Sequence, residues 1–191
     1  MNADGIWRCV DTERAELAAL FETLDAEQWN APSLCDGWRV RDVAAHLTHS
    51  HMSPARAIVE AVKSGFRFDS MIRRLGVVDP RSRTEIAAAL RSMVGARKKV
   101  PGTSVQQPLN ELLVHGQDIT VPLGIDRPMP VAAAVEAANR LAGMKFPLNA
   151  VARLDGIRMV ATDADFAAGE GREVRAPIRD IVMVLAGRAD A

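Results

Sequence analysis

Apolar residues recur at intervals of three and four through most of the first 150 residues, and that period admits few folds other than packed amphipathic helices. Leu17, Leu20, Phe21 and Leu24 form the first stripe, with Asp11 or Thr12 placed to cap it. Ala31 to Gly37 reads as a loop, because Pro32, Ser33, Asp36 and Gly37 punctuate it. A second helix is expected from Trp38, carrying Val40, Val43, Ala44 and Leu47. Ser53 and Pro54 suit the cap and first position of a restarted helix running to Gly65. Phe68 to Leu75 reads as a short helix, and Thr84 to Val100 as a longer one with Ile86, Leu90, Met93 and Val94 on one face. Its end carries Arg97, Lys98 and Lys99, cations that complement the helix dipole. Leu109 to Leu123, after Pro108, and Val131 to Phe146 complete the helical part.

From Ala152 the texture changes. Arg153 to Thr162 alternates and is β-branched, with a turn signal at Asp155-Gly156. Glu170-Gly171 reads as a hairpin turn joining Asp165–Ala168 to Arg172–Ala176. A last helix is expected from Pro177 to Ala186, stopped by Gly187. The chain is therefore expected to be mainly α: a helical bundle over residues 1–150 and a small C-terminal α/β module over 151–191. A module of about 40 residues buries too little surface to fold alone, so it should pack on the bundle.

With 191 residues, 48% of them hydrophobic and 25% charged, the chain can bury a core without staples. A net charge of zero gives no electrostatic capture of nucleic acid, and the apolar runs fall short of the roughly 20 residues that span a bilayer. Met1 to Gly5 has neither a basic region nor an apolar run, so no export signal is read and the cytoplasm is expected. Two cysteines, Cys9 and Cys35, are too few for a disulfide scaffold. Cys35 lacks a nearby His or Lys pattern and reads as a small buried residue before a turn.

The chemistry is concentrated in four histidines: His46, His49, His51 and His115. Glu111 and His115, four apart, share one helix face about 5–6 Å apart at Cβ. Such a pair is often only a helix ion pair. Here Leu112, Leu113 and Val114 make the helix apolar on most sides, and a buried Glu–His pair needs a partner or a metal. On the second helix the phase favours His51, one turn after Leu47, while His46 lies beside Val43 at the edge of the stripe and pairs by spacing with His49. One or more of these three faces the core.

The segment Trp29-Asn30-Ala31-Pro32-Ser33-Leu34-Cys35-Asp36-Gly37-Trp38, continuing through Ala45-His46-Leu47, resembles the signature of the mycothiol-dependent maleylpyruvate isomerase family, within the DinB-like superfamily of metal-binding four-helix bundles. Glu111-Leu112-Leu113-Val114-His115-Gly116, followed by Asp118-Ile119, resembles its second signature. Leu154 to Arg188 is similar to its C-terminal region, a small α/β module. The resemblance implies a DinB-like bundle and a divalent metal, zinc or else nickel, held by His46, Glu111 and His115. It also implies a thiol cosubstrate, mycothiol or similar, as in actinobacteria. Three protein ligands leave a coordination position open, the mark of a catalytic site. A thiol bound there is deprotonated and attacks a small electrophile, giving a transferase or an isomerase. The rival reading is a non-catalytic or stress-associated metal-binding DinB-like protein. No residue is assigned as catalytic, and the resemblance does not set whether the chain is a monomer or a dimer.

Two departures stand out. Arg39 replaces the usual Ser or Thr cap, which removes a capping box with Asp42, and Gln117 stands where the family has tryptophan, in reach of the expected substrate pocket. Arg188, after Gly187, could grip an anionic substrate bidentately or be a plain cationic helix end.

Overall fold

The computed structural model describes residues 1–49, 77, 79–99, 103–144 and 150–189. The helices expected around Ser53–Gly65 and Phe68–Leu75, and His51 with them, lie outside the described residues.

Helix α1 spans Ala3–Thr23, beginning nine residues before an Asp11 cap would allow, because Ile6, Trp7 and Val10 extend the buried stripe and Asn2 caps the Gly5 amide. Asp11 and Thr12 lie inside it. A short α2, Ala26–Asn30, precedes the Ala31–Gly37 loop, in a stretch to which the sequence assigned no element. Its Asp25–Gln28 capping box is complete, and Trp29 packs edge-on against Phe21 with ring centroids 5.8 Å apart. Helix α3 is Val40–Leu47. Arginine has no acceptor with which to cap, yet half of the box survives: Asp42 accepts from the Arg39 amide at 2.9 Å and also from its guanidinium. Helix α4, Arg83–Ser92, ends at Met93 and turns at Gly95 (φ 82°). The basic cluster therefore lies beyond the helix; Arg97 pairs with Asp11 at 2.7 Å and stacks over Trp7 instead of closing a dipole.

Helix α5, Gln106–Thr120, is buried along most of its length, with Pro108 in its first turn where a missing N–H costs nothing. It packs on α1, on α3 and on α6, which spans Val131–Ala142, and α1 also packs on α4. A short α7, Ala150–Arg153, leads into the tail.

The tail holds a three-stranded sheet: β1 Ile157–Ala161, β2 Ala167–Gly169 and β3 Arg172–Ala176. The Glu170-Gly171 turn does not make a hairpin. β1 lies in the middle, antiparallel to β2 and parallel to β3, so the short strands flank it and do not pair with each other. Glycine is required at that corner: a Cβ on Gly169 would sit 2.2 Å from the Ile157 carbonyl oxygen, and one on Gly171 2.3 Å from that of Gly156. Helix α8, Ile178–Leu185, is largely buried and packs on α6, joining the tail to the bundle. The fold is therefore mainly α with a small C-terminal sheet. Among the described residues no helix is long and apolar enough to cross a membrane.

Candidate functional site

The site grows from the polar stripe of α5. On a helix otherwise lined with Leu109, Leu112, Leu113 and Val114, residues 107, 111, 115 and 118 recur at one-turn intervals and line a single face. That face meets α3, whose last turn presents His46. His46 Nε2 lies 3.1 Å from Glu111 Oε2, and His115 Nε2 lies 3.4 Å from the same oxygen. The two imidazole rings stand almost perpendicular, with centroids 5.0 Å apart, and the Trp38 ring meets His46 edge-on at 5.4 Å. The phase argument for His46 at the edge of its stripe is consistent with this: His46 and Glu111 are half-buried.

His49 takes another partner. Its Nε2 donates to Asp79 at 3.1 Å, and Asp79, buried, also accepts two bonds from the Arg81 guanidinium. Burial pushes the His49 imidazole down to about 4 in spite of the Asp79 hydrogen bond.

Behind His115 lies a second polar group, formed by Asp118, Cys35 and Arg188, whose convergence the sequence did not indicate. Asp118, fully buried, takes the His115 Nδ1 proton at 2.8 Å. It accepts from Arg188 Nε at 2.8 Å on Oδ1 and from Arg188 Nη2 at 3.2 Å on Oδ2. Cys35 is not merely a filler before a turn: its thiol donates to Asp118 Oδ2 at 3.0 Å and its sulfur lies 3.7 Å from His115 Nδ1. Backbone geometry brings it there. The Leu34 amide donates to the Asp118 carbonyl at 3.0 Å, and the Ser33 hydroxyl ties the loop across to Trp38. Arg188 arrives from the other direction. Gly187 (φ 74°) ends α8 with the Gly187 amide bonded to Val184 and the Arg188 amide to Met183, a Schellman turn that swings residue 188 back toward the bundle. The cationic helix end does not point into solvent. It is spent on Asp118 and Cys35.

The electrostatics follow from these contacts. Burial opposes charge on Glu111, but hydrogen bonds from His115 and His46 outweigh it and hold the carboxyl well below its usual range. Burial likewise opposes charge on His115, and its bonds to Asp118, Cys35 and Glu111 outweigh that and raise it well above the usual imidazole value. Asp118 is buried, yet His115 and Arg188 keep it ionised.

Two groups of ligand-type atoms converge within 4.8 Å: His46, Glu111 and His115, and, sharing His115, Cys35 and Asp118. Gln117 does not face them; it is buried and donates to the Arg127 carbonyl at 2.7 Å, so the lost tryptophan is answered by a tie between α5 and the loop before α6. Two clefts lie elsewhere, one beside Leu154 and Gly169, the other between Trp29, Arg41 and Ser82, and neither borders the three converging side chains.

Residues 10–99 match the family model of the mycothiol maleylpyruvate isomerase N-terminal domain. Among solved structures, the chain is similar to the mycothiol-dependent maleylpyruvate isomerase, with a TM-score of 0.63 and 12% identity over 99% of this chain and 90% of that one. It is equally similar to a histidine-to-alanine mutant of that protein, at 0.64 and 12% with the same coverage. No curated protein matches. The family resemblance carried by Trp29 to Leu47 thus stands on a domain match, and the likeness to the two structures shows that the fold is that of the maleylpyruvate isomerase.

Proposed function

We propose that the protein is a metal-dependent enzyme that uses a low-molecular-weight thiol, mycothiol or one like it, to transfer to or isomerise a small electrophile. His46, Glu111 and His115 hold one divalent ion, and the donor set suits zinc. The observation that carries this reading is the convergence of two Nε2 atoms on one carboxylate oxygen. With bonds of about 2.0–2.1 Å, neighbouring ligands of a tetrahedral zinc stand about 3.3–3.4 Å apart; the observed separations are 3.1 and 3.4 Å. Two of the three ligand separations thus match such a site, and all three ligand atoms lie within 4.8 Å of one another; a fourth position would be left for the thiol.

When bound, the ion supplies a Lewis acid under which a thiol ligand loses its proton at neutral pH. The chain's own residues prepare that position. Asp118 holds the His115 Nδ1 proton and so turns the Nε2 lone pair toward Glu111 and His46. Arg188 keeps Asp118 charged in a buried place, and the edge of Trp38 walls the His46 side. Cys35 donates its proton to Asp118, which supports an added thiol, and not this sulfur, as the nucleophile. Arg188 is already bound by Asp118, so its part is to fix the site; gripping an anion would require it to exchange one of those bonds.

The same reading keeps the division into a metal-binding bundle, 1–150, and a C-terminal module, 151–191, and sets the reaction in the cytoplasm where such thiols are reduced. Purified protein should carry about one divalent ion per chain, lost in His115→Ala, and should consume thiol only with metal and electrophile both present. Full occupancy in His115→Ala removes the ligand assignment. A bound ion with no thiol consumption across a panel of thiols and electrophiles leaves the non-catalytic metal-binding reading in its place.

A further inference from the structure

The carboxylate of Glu111 has two oxygens, and only Oε2 faces the histidines. Oε1 is taken: Gln107, one helical turn earlier on α5, donates its side-chain amide to it at 2.6 Å. The other end of that amide is taken as well, because the Gln107 Oε1 accepts from the guanidinium of Arg140 on α6. The chemistry admits one orientation of the amide. Its nitrogen must face the carboxylate and its oxygen the arginine, since the reverse would set two acceptors and two donors against each other. Arg140 is half-buried, its Nε lies buried within the protein, and the α5–α6 packing fixes it.

From this chain we infer that Gln107, held by Arg140, is a positioning residue that keeps Glu111 a one-oxygen ligand and thereby keeps a coordination position open for the thiol. The inference rests on the metal reading above. A carboxylate free at both oxygens can swing to chelate the ion and fill the position that substrate needs. A hydrogen bond on Oε1 opposes that swing. Glutamine suits the task because its amide neither gains nor loses a proton in the neutral range, so the restraint does not change with pH. The arrangement also ties the metal ligand to the α5–α6 interface, where a displacement of α6 reaches Glu111 through two hydrogen bonds.

The test uses the full-length protein, loaded with Zn²⁺ for affinity and with Co²⁺ for spectroscopy. Gln107→Leu removes the donor at similar volume, Arg140→Met removes the support, and the double variant combines them. The expected result for Gln107→Leu is a zinc affinity, measured by chelator competition, changed by about tenfold or more. The Co²⁺ visible absorption should also weaken as a four-coordinate site gives way to a five-coordinate one. Arg140→Met should give the same spectral change in smaller degree, and the double variant should go no further than Gln107→Leu, since both act through one bond. Gln107→Leu with wild-type affinity and spectrum, whatever its melting temperature, overturns the inference and leaves a plain α5–α6 clamp. Wild-type protein that binds neither ion removes the metal reading and this inference together. Should Gln107→Leu fail to fold, Arg140→Met alone decides by the same spectrum.

Discussion

Replacing Asp118 by asparagine isolates charge from shape at the most connected residue of the site. The carboxylate accepts on Oδ2 from His115, Cys35 and Arg188, and on Oδ1 from Arg188 Nε alone. An amide can keep only one of these oxygens. Facing its NH₂ toward Oδ2's partners would oppose three donors, so the oxygen takes that place and the NH₂ meets Arg188 Nε. The variant therefore keeps the His115 bond and loses the Nε bond together with the charge that balances Arg188. A hydrogen bond between charged groups contributes about 1.5–3 kcal/mol. The Arg188 side chain is 21% exposed, so water recovers part of the loss, and about 2 kcal/mol is expected. For a chain of this size that lowers Tm by about 4–8 °C. Asp118→Ala also strips His115 of its acceptor and leaves Arg188 unpaired; it should cost about 3–5 kcal/mol and reduce zinc affinity about 10–100-fold. Melting is followed with chelator present, to separate stability from metal linkage, and affinity by competition with a zinc chelator. Equal Tm and equal affinity in wild type, Asn and Ala variants would refute the account of Asp118 as the support of His115.

His46→Ala and Glu111→Ala should each lose the metal as His115→Ala does, whereas His49→Ala, whose side chain is turned to Asp79, should retain it; elemental analysis decides, and a metal-free His49→Ala counts against the assignment. Gly169→Ala should destabilise the tail by at least about 1–3 kcal/mol, since its Cβ meets the Ile157 carbonyl at 2.2 Å on a φ of 84°; unchanged melting would show that the β1–β2 corner is not required. Thiol-dependent turnover should persist in the Cys9→Ala/Cys35→Ala double variant and vanish on chelation, returning with zinc; loss of turnover with metal still bound would count against an added thiol as the nucleophile and against the reading of the Cys35–Asp118 contact given above.

The bundle was legible because burial imposes a period: Leu17 and Phe21 on α1, Leu109 and Leu113 on α5, and Ile86 and Leu90 on α4 are all fully buried. Element ends were less so, as with α1, whose start is set by an Asn2 cap and by Ile6 and Trp7. The Glu170-Gly171 turn carried a hairpin signature without making one, because pairing of β3 with β1 is a long-range choice that local turn chemistry does not encode. At the site, the i to i+4 spacing of Glu111 and His115 was visible, while His46 was separated from His49 and His51 only by resemblance. Asp118 stood three residues from His115 and Gln107 four before Glu111, so both were within reach of the same spacing argument. Arg140 and Cys35 were not, since they arrive from other elements through tertiary packing.

Arg188 shows why the tail matters to a site built on the bundle. The Schellman turn at Gly187 directs it to Asp118, Asp118 holds His115, and His115 faces Glu111 and His46. Each link is a direct contact, and the free energies along the chain of contacts are reciprocal. Whatever an ion gains from a docked Arg188, the tail gains from the ion, by the same factor. The site proposed on the bundle thus still depends on the C-terminal residues, because the Asp118 carboxylate, buried and charged, takes its cation from Arg188 of the tail.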